Sequence, residues 1–258
     1  MQGEHSETNA ELTSLIAETL RRHVDPSAAL VRVTFEPIEA GMSGAAVLRH
    51  HVEFDTNRKC GRTVSLISKP TTLVEIHHAN LGHSDDLSWL PRVDRRYVRD
   101  HLTHFWAPAW KRAGAMESFG REFGGSIAIV EAAAASVADE IAALTEHQEN
   151  MTLIHGDINP SNVLIADGKP RFIDWQAACL GPFYLDLPHH LCTRALAGEY
   201  RRVREELGDV IGPDVFAAGY RAASHYIGLR YIWWTLGLWS QDPTQSHWIR
   251  YYLELIGR

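Results

Sequence analysis

The chain has 258 residues, of which 45% are hydrophobic and 22% are charged, so it can bury a sizeable core as one large domain or as two lobes. Its formal net charge of −7 argues against nucleic acid and anionic membranes as partners, because both require a basic surface. The same acidity favours a cationic ligand, although solubility alone is the simpler explanation.

The N-terminal part of the chain predicts one helix followed by three strands. Leucine and isoleucine recur at helical spacing over residues 12–20, which predicts the helix. Alternating residues predict strands at residues 31–35, 45–54 and 63–68, and a polar turn joins the last two. These elements predict a small β-containing region at the start of the chain.

A short loop between the first two predicted strands carries two glycines around a serine. Gly41, Ser43 and Gly44 would let backbone amides approach a phosphate group closely, since glycine has no Cβ. An ordinary hairpin turn explains the same residues about as well. The loop is therefore a candidate phosphate contact that needs support from the rest of the chain.

From residue 73 onward the pattern is mostly helical. Thr72 and Glu75 are spaced as a capping box at the start of a helix over residues 73–82. The apolar segment 227–239 is too short to cross a bilayer and contains Arg230, so we expect no membrane-spanning helix. Further helices are predicted for residues 98–106, 127–144, 189–207, 215–227 and 229–239.

The most informative segment covers residues 153–176 and reads LIHGDINPSNVLIADGKPRFIDWQ. Its first apolar residues predict a short strand that turns through a glycine and ends at Asp157. Two later apolar runs, separated by Asp-Gly, predict a β-hairpin. The two ends of that hairpin carry Asn162 and Asp174, which we expect to lie close together.

These three side chains suit phosphoryl transfer. An amide oxygen and a carboxylate are ligands that Mg²⁺ accepts, so Asn162 and Asp174 can share one ion. Asp157 lies outside that pair, where it can hold a substrate hydroxyl and accept its proton while the metal neutralises phosphate charge. Acidic residues scattered on an ordinary hairpin are the alternative interpretation.

Three motifs in order, HGDINPSN, FIDW and GPFYLDL, resemble the aminoglycoside phosphotransferase and choline kinase-like family. Protein kinases share the Asp-x-x-x-x-Asn spacing, but Gly156 stands where they have arginine and Trp175 where they have phenylalanine. Small molecules are therefore the expected acceptors. The resemblance implies that Asp157 is catalytic, that Asn162 and Asp174 bind metal, and that Asp186 braces the catalytic loop.

The resemblance also implies an α+β fold, bilobal and protein kinase-like. We expect a reduced N-terminal nucleotide-binding lobe over residues 1–72 and a helical C-terminal lobe, with the catalytic hairpin and the acceptor site, over residues 73–258. Lys69 matches the strand lysine that contacts nucleotide phosphates in the family, and the family context favours the same role for the glycine loop. A surface lysine at a strand end is the alternative for Lys69.

The chain departs from the family pattern after Lys69. The sequence shows neither a helix that bears the partner glutamate nor the two further strands and the hinge that receive the nucleotide base. We therefore expect that several dozen residues of the family pattern are absent near Thr72. A sheet of about three strands leaves an exposed edge, which favours a homodimer. Nucleotide affinity should suffer from this loss.

Residues of the C-terminal half could contact the acceptor. Aromatic residues at helical spacing are more often part of the core, and glutamates are more often part of a solvated face, so none of them stands out. The candidates are Glu199, Glu205, Asp209, Trp233, Trp234 and Trp239.

The sequence thus predicts an enzyme that moves the γ-phosphate of ATP or GTP, with Mg²⁺, to a hydroxyl of a small molecule such as an aminoglycoside, an amino sugar or a related antibiotic. The alternative is a catalytically impaired, kinase-like binding protein with an incomplete nucleotide site. Three scattered cysteines and an N-terminus unlike a signal peptide favour a cytoplasmic location.

Overall fold

The structure is a computed structural model that describes residues 17, 21, 27, 29–38, 47–56, 59–68, 70–158, 162–166, 169–191 and 193–257. The chain divides into two compact units. One comprises Met1–Lys69 and Ala166–Lys169, and the other comprises Pro70–Ile165 and Pro170–Arg258. The smaller unit contains strands and the larger one is mostly helical, which confirms the α+β fold class.

The smaller unit contains an antiparallel sheet in the order β1-β2-β3. Its strands are β1 (Ala29–Ile38), β2 (Val47–Thr56) and β3 (Lys59–Ser68). The three predicted strands are confirmed: β1 and β3 are longer than predicted, and β2 has the predicted length but begins and ends two residues later. The candidate nucleotide contacts Gly41, Ser43, Gly44 and Lys69 lie outside the described residues, as does nearly all of the helix predicted over residues 12–20.

The larger unit consists mainly of helices around one hydrophobic core. A π-helical turn over Leu102–Trp106 joins α2 to α3. The helices are α1 (Pro70–Ala79), α2 (Arg95–His101), α3 (Ala107–Gly114), α4 (Glu117–Phe123), α5 (Ile127–Glu146), α6 (Leu187–His190), α7 (Arg194–Glu206), α8 (Pro213–Gln241) and α9 (Ser246–Ile256). No helix among the described residues is both long and apolar enough to span a membrane.

Two pairs of short strands complete the larger part of the fold. Strand β4 (Met151–Ile154) runs antiparallel to β7 (Cys179–Pro182), and seven of their eight residues are buried. Strands β5 (Val163–Ala166) and β6 (Lys169–Phe172) form the predicted hairpin. Because β4 is buried, the loop that follows it starts from a fixed point in the core.

Three details of the helix prediction are wrong. Thr72 does not cap a helix, because α1 begins at Pro70, a residue whose fixed φ suits the first helical position. The segment predicted as one helix over residues 189–207 is divided between α6 and α7. The helices predicted over residues 215–227 and 229–239 are one continuous helix, α8.

Gly228 explains why the last of these predictions failed. A Cβ atom at this position would lie 2.4 Å from Cγ1 of Ile256 and 3.1 Å from the carbonyl oxygen of Tyr252. The glycine therefore serves close packing of α8 against α9 and does not end the helix. The packing partner is 28 residues away in sequence, and helical periodicity carries no information about it.

Candidate active site

Asp157 lies in the loop that follows β4, two residues after a buried histidine, and its own side chain is half-buried. Gly156 has a φ of +77°, a left-handed conformation that L side chains rarely adopt. A Cβ at this position would lie 2.4 Å from the carbonyl oxygen of Ala177. Backbone conformation and available space therefore both require glycine immediately before Asp157.

Asp186 holds this loop in place through two hydrogen bonds to its backbone. Its side chain is 1% exposed, and its two carboxylate oxygens accept hydrogen bonds from the backbone N–H of His155 at 2.7 Å and of Gly156 at 2.8 Å. Charge-assisted bonds of this kind are stronger than bonds between neutral groups. The geometry agrees with the bracing role that the resemblance implies for Asp186.

His77 is the second partner of Asp186 and lies at 3.2 Å through Nε2. Burial lowers the pKa of His77 below its ordinary value, against the opposing effect of Asp186, so the imidazole is neutral at physiological pH. The bonding pattern is satisfied when Nε2–H donates to Asp186 and Nδ1 accepts from the hydroxyl of Tyr200 at 2.7 Å. The bracing network therefore reaches from α1 to α7.

His155 connects the loop that carries Asp157 to the end of the hairpin. Its Nε2 lies 2.8 Å from the carbonyl oxygen of Ile173, and the backbone N–H of Asp157 donates to its Nδ1 at 3.3 Å. Its ring packs on Trp175 with the centroids 4.6 Å apart. One neutral tautomer satisfies both nitrogens, so His155 acts as a structural link between Asp157 and the residues around Asp174.

Asn162 lies beside Asp157. Its side chain is 8% exposed, and its Nδ2 donates to the backbone oxygen of Asp157 at 2.9 Å and to Oδ2 of Asp157 at 3.3 Å. The side-chain nitrogen faces Asp157 because both partners are acceptors. The amide oxygen Oδ1 is therefore the atom of Asn162 that can coordinate a cation.

The hairpin brings Asp174 close to Asn162 in the backbone. The N–H of Ile173 donates to the carbonyl oxygen of Asn162 at 2.9 Å, and Asp174 is the next residue. Asp174 has φ 63° and ψ 58°, and it is the only described residue other than glycine with a positive φ. Backbone strain of this kind is concentrated at functional sites. The side chain of Asp174 is exposed and does not pack in the core.

Tyr231 of α8 completes the surroundings of Asp157, and no sequence motif predicted this contact. Its hydroxyl donates to Oδ1 of Asp157 at 2.7 Å and lies 3.1 Å from the carbonyl oxygen of Gly156. Burial raises the pKa of Tyr231, as does Asp157, so the hydroxyl keeps its proton. The only sequence signal for Tyr231 is its position in an aromatic-rich segment. Its partner Asp157 lies 74 residues earlier in the chain, so no local pattern links the two residues.

A cavity of about 400 Å³ opens beside Asp157. Burial lowers the pKa of His101, which lines it, to about 4, so this histidine is neutral at physiological pH. The other lining residues are Ala177, Arg230, Tyr231, Trp233 and Trp234.

Two of the six acceptor candidates, Trp233 and Trp234, line this cavity, and the other four do not. Trp239 is 1% exposed and packs in the core against Phe119. The three acidic candidates are paired with basic side chains: Glu199 with Arg202, Glu205 with Arg201, and Asp209 with Arg204 and His78. Glu199 and Glu205 lie on α7 and Asp209 follows that helix, and none of the three lines the cavity.

Comparison with solved structures gives distant likenesses. Spectinomycin phosphotransferase APH(9)-Ia, solved with ADP and spectinomycin, is 12% identical with a TM-score of 0.44 (95% of this chain and 97% of that chain). A thermostable mutant of aminoglycoside phosphotransferase APH(4)-Ia, with AMP-PNP and hygromycin B, is 14% identical with a TM-score of 0.40 (93% and 97%). A microcompartment-associated aminopropanol kinase is 15% identical with a TM-score of 0.40 (99% and 82%).

A comparison with protein-family models gives the clearer result, whereas curated protein sequences yielded no significant match. The model of the phosphotransferase enzyme family, APH, matches residues 71–226. This range is well over half of the chain and includes Asp157, Asn162, Asp174 and Asp186. The protein therefore belongs to the phosphotransferase enzyme family, which confirms the prediction of a phosphotransferase.

Proposed function

We propose that this protein transfers the γ-phosphoryl group of ATP or GTP to a hydroxyl group of a small molecule, with Asp157 as the catalytic base. The observation that carries the proposal is the placement of Asp157. Its carboxylate is held by Tyr231 on one oxygen and by Asn162 on the other, and it borders a cavity of small-molecule size.

The proposed reaction is an in-line displacement at phosphorus. The acceptor hydroxyl donates a hydrogen bond to Asp157, and its oxygen forms a bond to the γ-phosphorus of the nucleotide. The bond between that phosphorus and the β–γ bridging oxygen breaks, and its electron pair remains on the β-phosphate of the released nucleoside diphosphate. The hydroxyl proton passes to Asp157, which releases it to solvent after the product leaves.

Two described residues fit a divalent cation of the Mg²⁺ type. Asn162 can offer Oδ1, and Asp174 offers an exposed carboxylate, so both present the hard oxygen donors that Mg²⁺ prefers. When bound, Mg²⁺ would neutralise charge on the nucleotide phosphates. The strained backbone of Asp174 supports a role for its carboxylate outside the core.

The nucleotide contacts of this proposal rest on the resemblance of the sequence motifs. Gly41, Ser43 and Gly44 would contact phosphate through their backbone amides, and Lys69 would contact it through its ammonium group. The choice between ATP and GTP, a cytoplasmic location and an association into homodimers all remain predictions. Antibiotic acceptors of the aminoglycoside or macrolide class are a further prediction, and they define the first compounds to test.

A nucleotide-consumption screen tests this function. ATP and GTP are each offered with and without Mg²⁺ against aminoglycosides, amino sugars, choline-like alcohols, macrolides and simple aromatic alcohols. We expect Mg²⁺-dependent consumption with at least one acceptor and an equal amount of phosphorylated product. Calorimetry that detects no nucleotide binding at millimolar concentration, together with no product, would favour the alternative of a kinase-like binding protein.

A further inference from the structure

The cavity beside Asp157 has flat, apolar walls. Trp233 and Trp234 line it together with the ring of Tyr231, and the side chain of Trp234 is 50% exposed. The ring of Trp233 packs against the ring of Phe105, with the centroids 5.3 Å apart. A half-exposed tryptophan beside Asp157 offers a flat apolar surface on which a ring of a ligand can pack.

The described residues that line the cavity carry few charges. Among its described lining residues, Asp157 is the only acid and Arg230 is the only permanent cation. His101 is neutral because burial lowers its pKa to about 4. An acceptor with several ammonium groups would therefore find no carboxylate here apart from the catalytic one, and it would face the guanidinium of Arg230.

Arg230 is held in place but is not neutralised. Its Nη1 donates to the hydroxyl of Tyr226 at 3.0 Å, and its guanidinium carbon lies 5.7 Å from the ring centroid of Tyr231. Among the described residues, it forms no ion pair with a carboxylate. A guanidinium has five N–H donors in one plane, so the donors that Tyr226 does not occupy can bind an oxyanion with two parallel hydrogen bonds.

We propose that the acceptor of this enzyme is an alcohol with a flat apolar body and one oxyanion group, such as a carboxylate or a phosphonate. The oxyanion binds Arg230, the flat body packs on Trp233 and Trp234, and the hydroxyl points to Asp157. This inference rests on the proposed function, because it names the substrate class of the same site. It departs from the cationic acceptor that the net charge of the whole chain favours, since most of the acids lie outside the cavity.

Isosteric alcohols test the inference on the complete protein. The probes are para-(hydroxymethyl)benzoate, para-(hydroxymethyl)phenylphosphonate, the neutral para-methylbenzyl alcohol and the cationic para-(aminomethyl)benzyl alcohol. Two quantities are measured for each: binding without nucleotide, from tryptophan fluorescence, and phosphorylation with ATP or GTP and Mg²⁺. We expect at least one oxyanion probe to bind about tenfold more tightly than the cationic probe, and the two oxyanion arms separate carboxylate from phosphonate recognition.

Substitution of Arg230 adds the control. Arg230→Gln should remove the preference for the oxyanion probe, whereas Arg112→Gln, at an exposed arginine of α3 that does not line the cavity, should keep it. The preference in the unaltered protein still decides the question if Arg230→Gln fails to fold.

The outcomes separate the two proposals. Phosphorylation of the cationic probe in preference to both oxyanion probes would overturn the inference and leave the proposed function intact. Binding of an oxyanion probe that depends on Arg230, without phosphorylation of any compound, would support the pocket chemistry and contradict the proposed function. Equal binding of all probes, or no binding of either oxyanion probe, would overturn the inference.

Discussion

The hydroxyl of Tyr231 donates a hydrogen bond of 2.7 Å to Oδ1 of Asp157. This bond joins the long helix α8 to the catalytic loop, and it leaves Oδ2 of the carboxylate facing Asn162. A carboxylate fixed at both oxygens cannot rotate freely, so its direction towards the cavity is set before a substrate binds. Such preorganisation lowers the cost of reaching the reactive geometry.

Removal of the Tyr231 hydroxyl should therefore slow the reaction. Replacement Tyr231→Phe keeps the ring and loses both hydrogen bonds, and we expect kcat to fall by about tenfold with a smaller change in KM. The matched control is Tyr220→Phe, which removes another buried tyrosine hydroxyl bond of α8, to the carbonyl oxygen of Leu191. Steady-state kinetics in which both variants lose kcat equally would show that Tyr231 has no special role.

Replacement of Asp186 should damage both the fold and the activity. Asp186→Asn keeps the size of the side chain, but it turns one acceptor oxygen into a donor that faces a backbone N–H or His77. We expect the free energy of unfolding to fall by roughly 2–4 kcal/mol, because buried donors lose a charged partner. Urea unfolding measures this loss, and a variant as stable as the parent would contradict the bracing role.

The glycine before Asp157 should not tolerate even a methyl group. In Gly156→Ala the new Cβ would collide with the carbonyl oxygen of Ala177 on a backbone of positive φ, so we expect a marked loss of stability and of activity. Gly198→Ala is the control, because its Cβ would meet no atom within 4 Å on helix α7. Its melting temperature should rise slightly, by the helix propensity of alanine. Equal melting temperatures for the two variants would contradict the account of the loop.

Acidification should destabilise the protein before its carboxylates protonate. Burial lowers the pKa of His101, His189 and His190 from 6.5 to about 4. The folded state therefore binds fewer protons than the unfolded chain between these two values, so the free energy of unfolding falls as the pH drops from 6.5 towards 4. The upper limit is on the order of 3 kcal/mol for each histidine.

Urea titrations at several values from about pH 7.5 to about pH 4.5 measure this slope. His190→Gln should reduce it, because the substitution removes one of the three histidines whose pKa burial lowers. A free energy of unfolding that stays constant across the range would show that folding does not lower the pKa of these histidines.

Local patterns in the sequence predict the catalytic loop well. The segment from β4 to Asp174 is short, and its apolar runs and its glycine define the strand, the turn and the hairpin that place Asp157 near Asn162. The bracing of Asp186 followed from motif resemblance, and its hydrogen bonds to the loop agree with that role. The geometry of the loop was thus accessible from residue types and spacing.

The residues that line the cavity could not be predicted from local sequence patterns in the same way. Tyr231 and Arg230 lie on α8, more than seventy residues after Asp157, and nothing in the helical period distinguishes them from the core aromatics around them. The three acids of the C-terminal half suggested acceptor contacts, but each is paired with a basic side chain away from the cavity. Long-range packing decides which side chains reach the cavity, and a single sequence does not encode it in a pattern.

The central claim is that Asp157 holds the acceptor hydroxyl and takes its proton during phosphoryl transfer. The most direct test is the rate of phosphorylated product formation by Asp157→Asn, measured with the acceptor found in the screen and compared with the parent protein. We predict a fall of about two to four orders of magnitude with the melting temperature largely retained, because the amide keeps the shape of the side chain and cannot act as the base. Undiminished turnover by a folded Asp157→Asn protein would contradict the account.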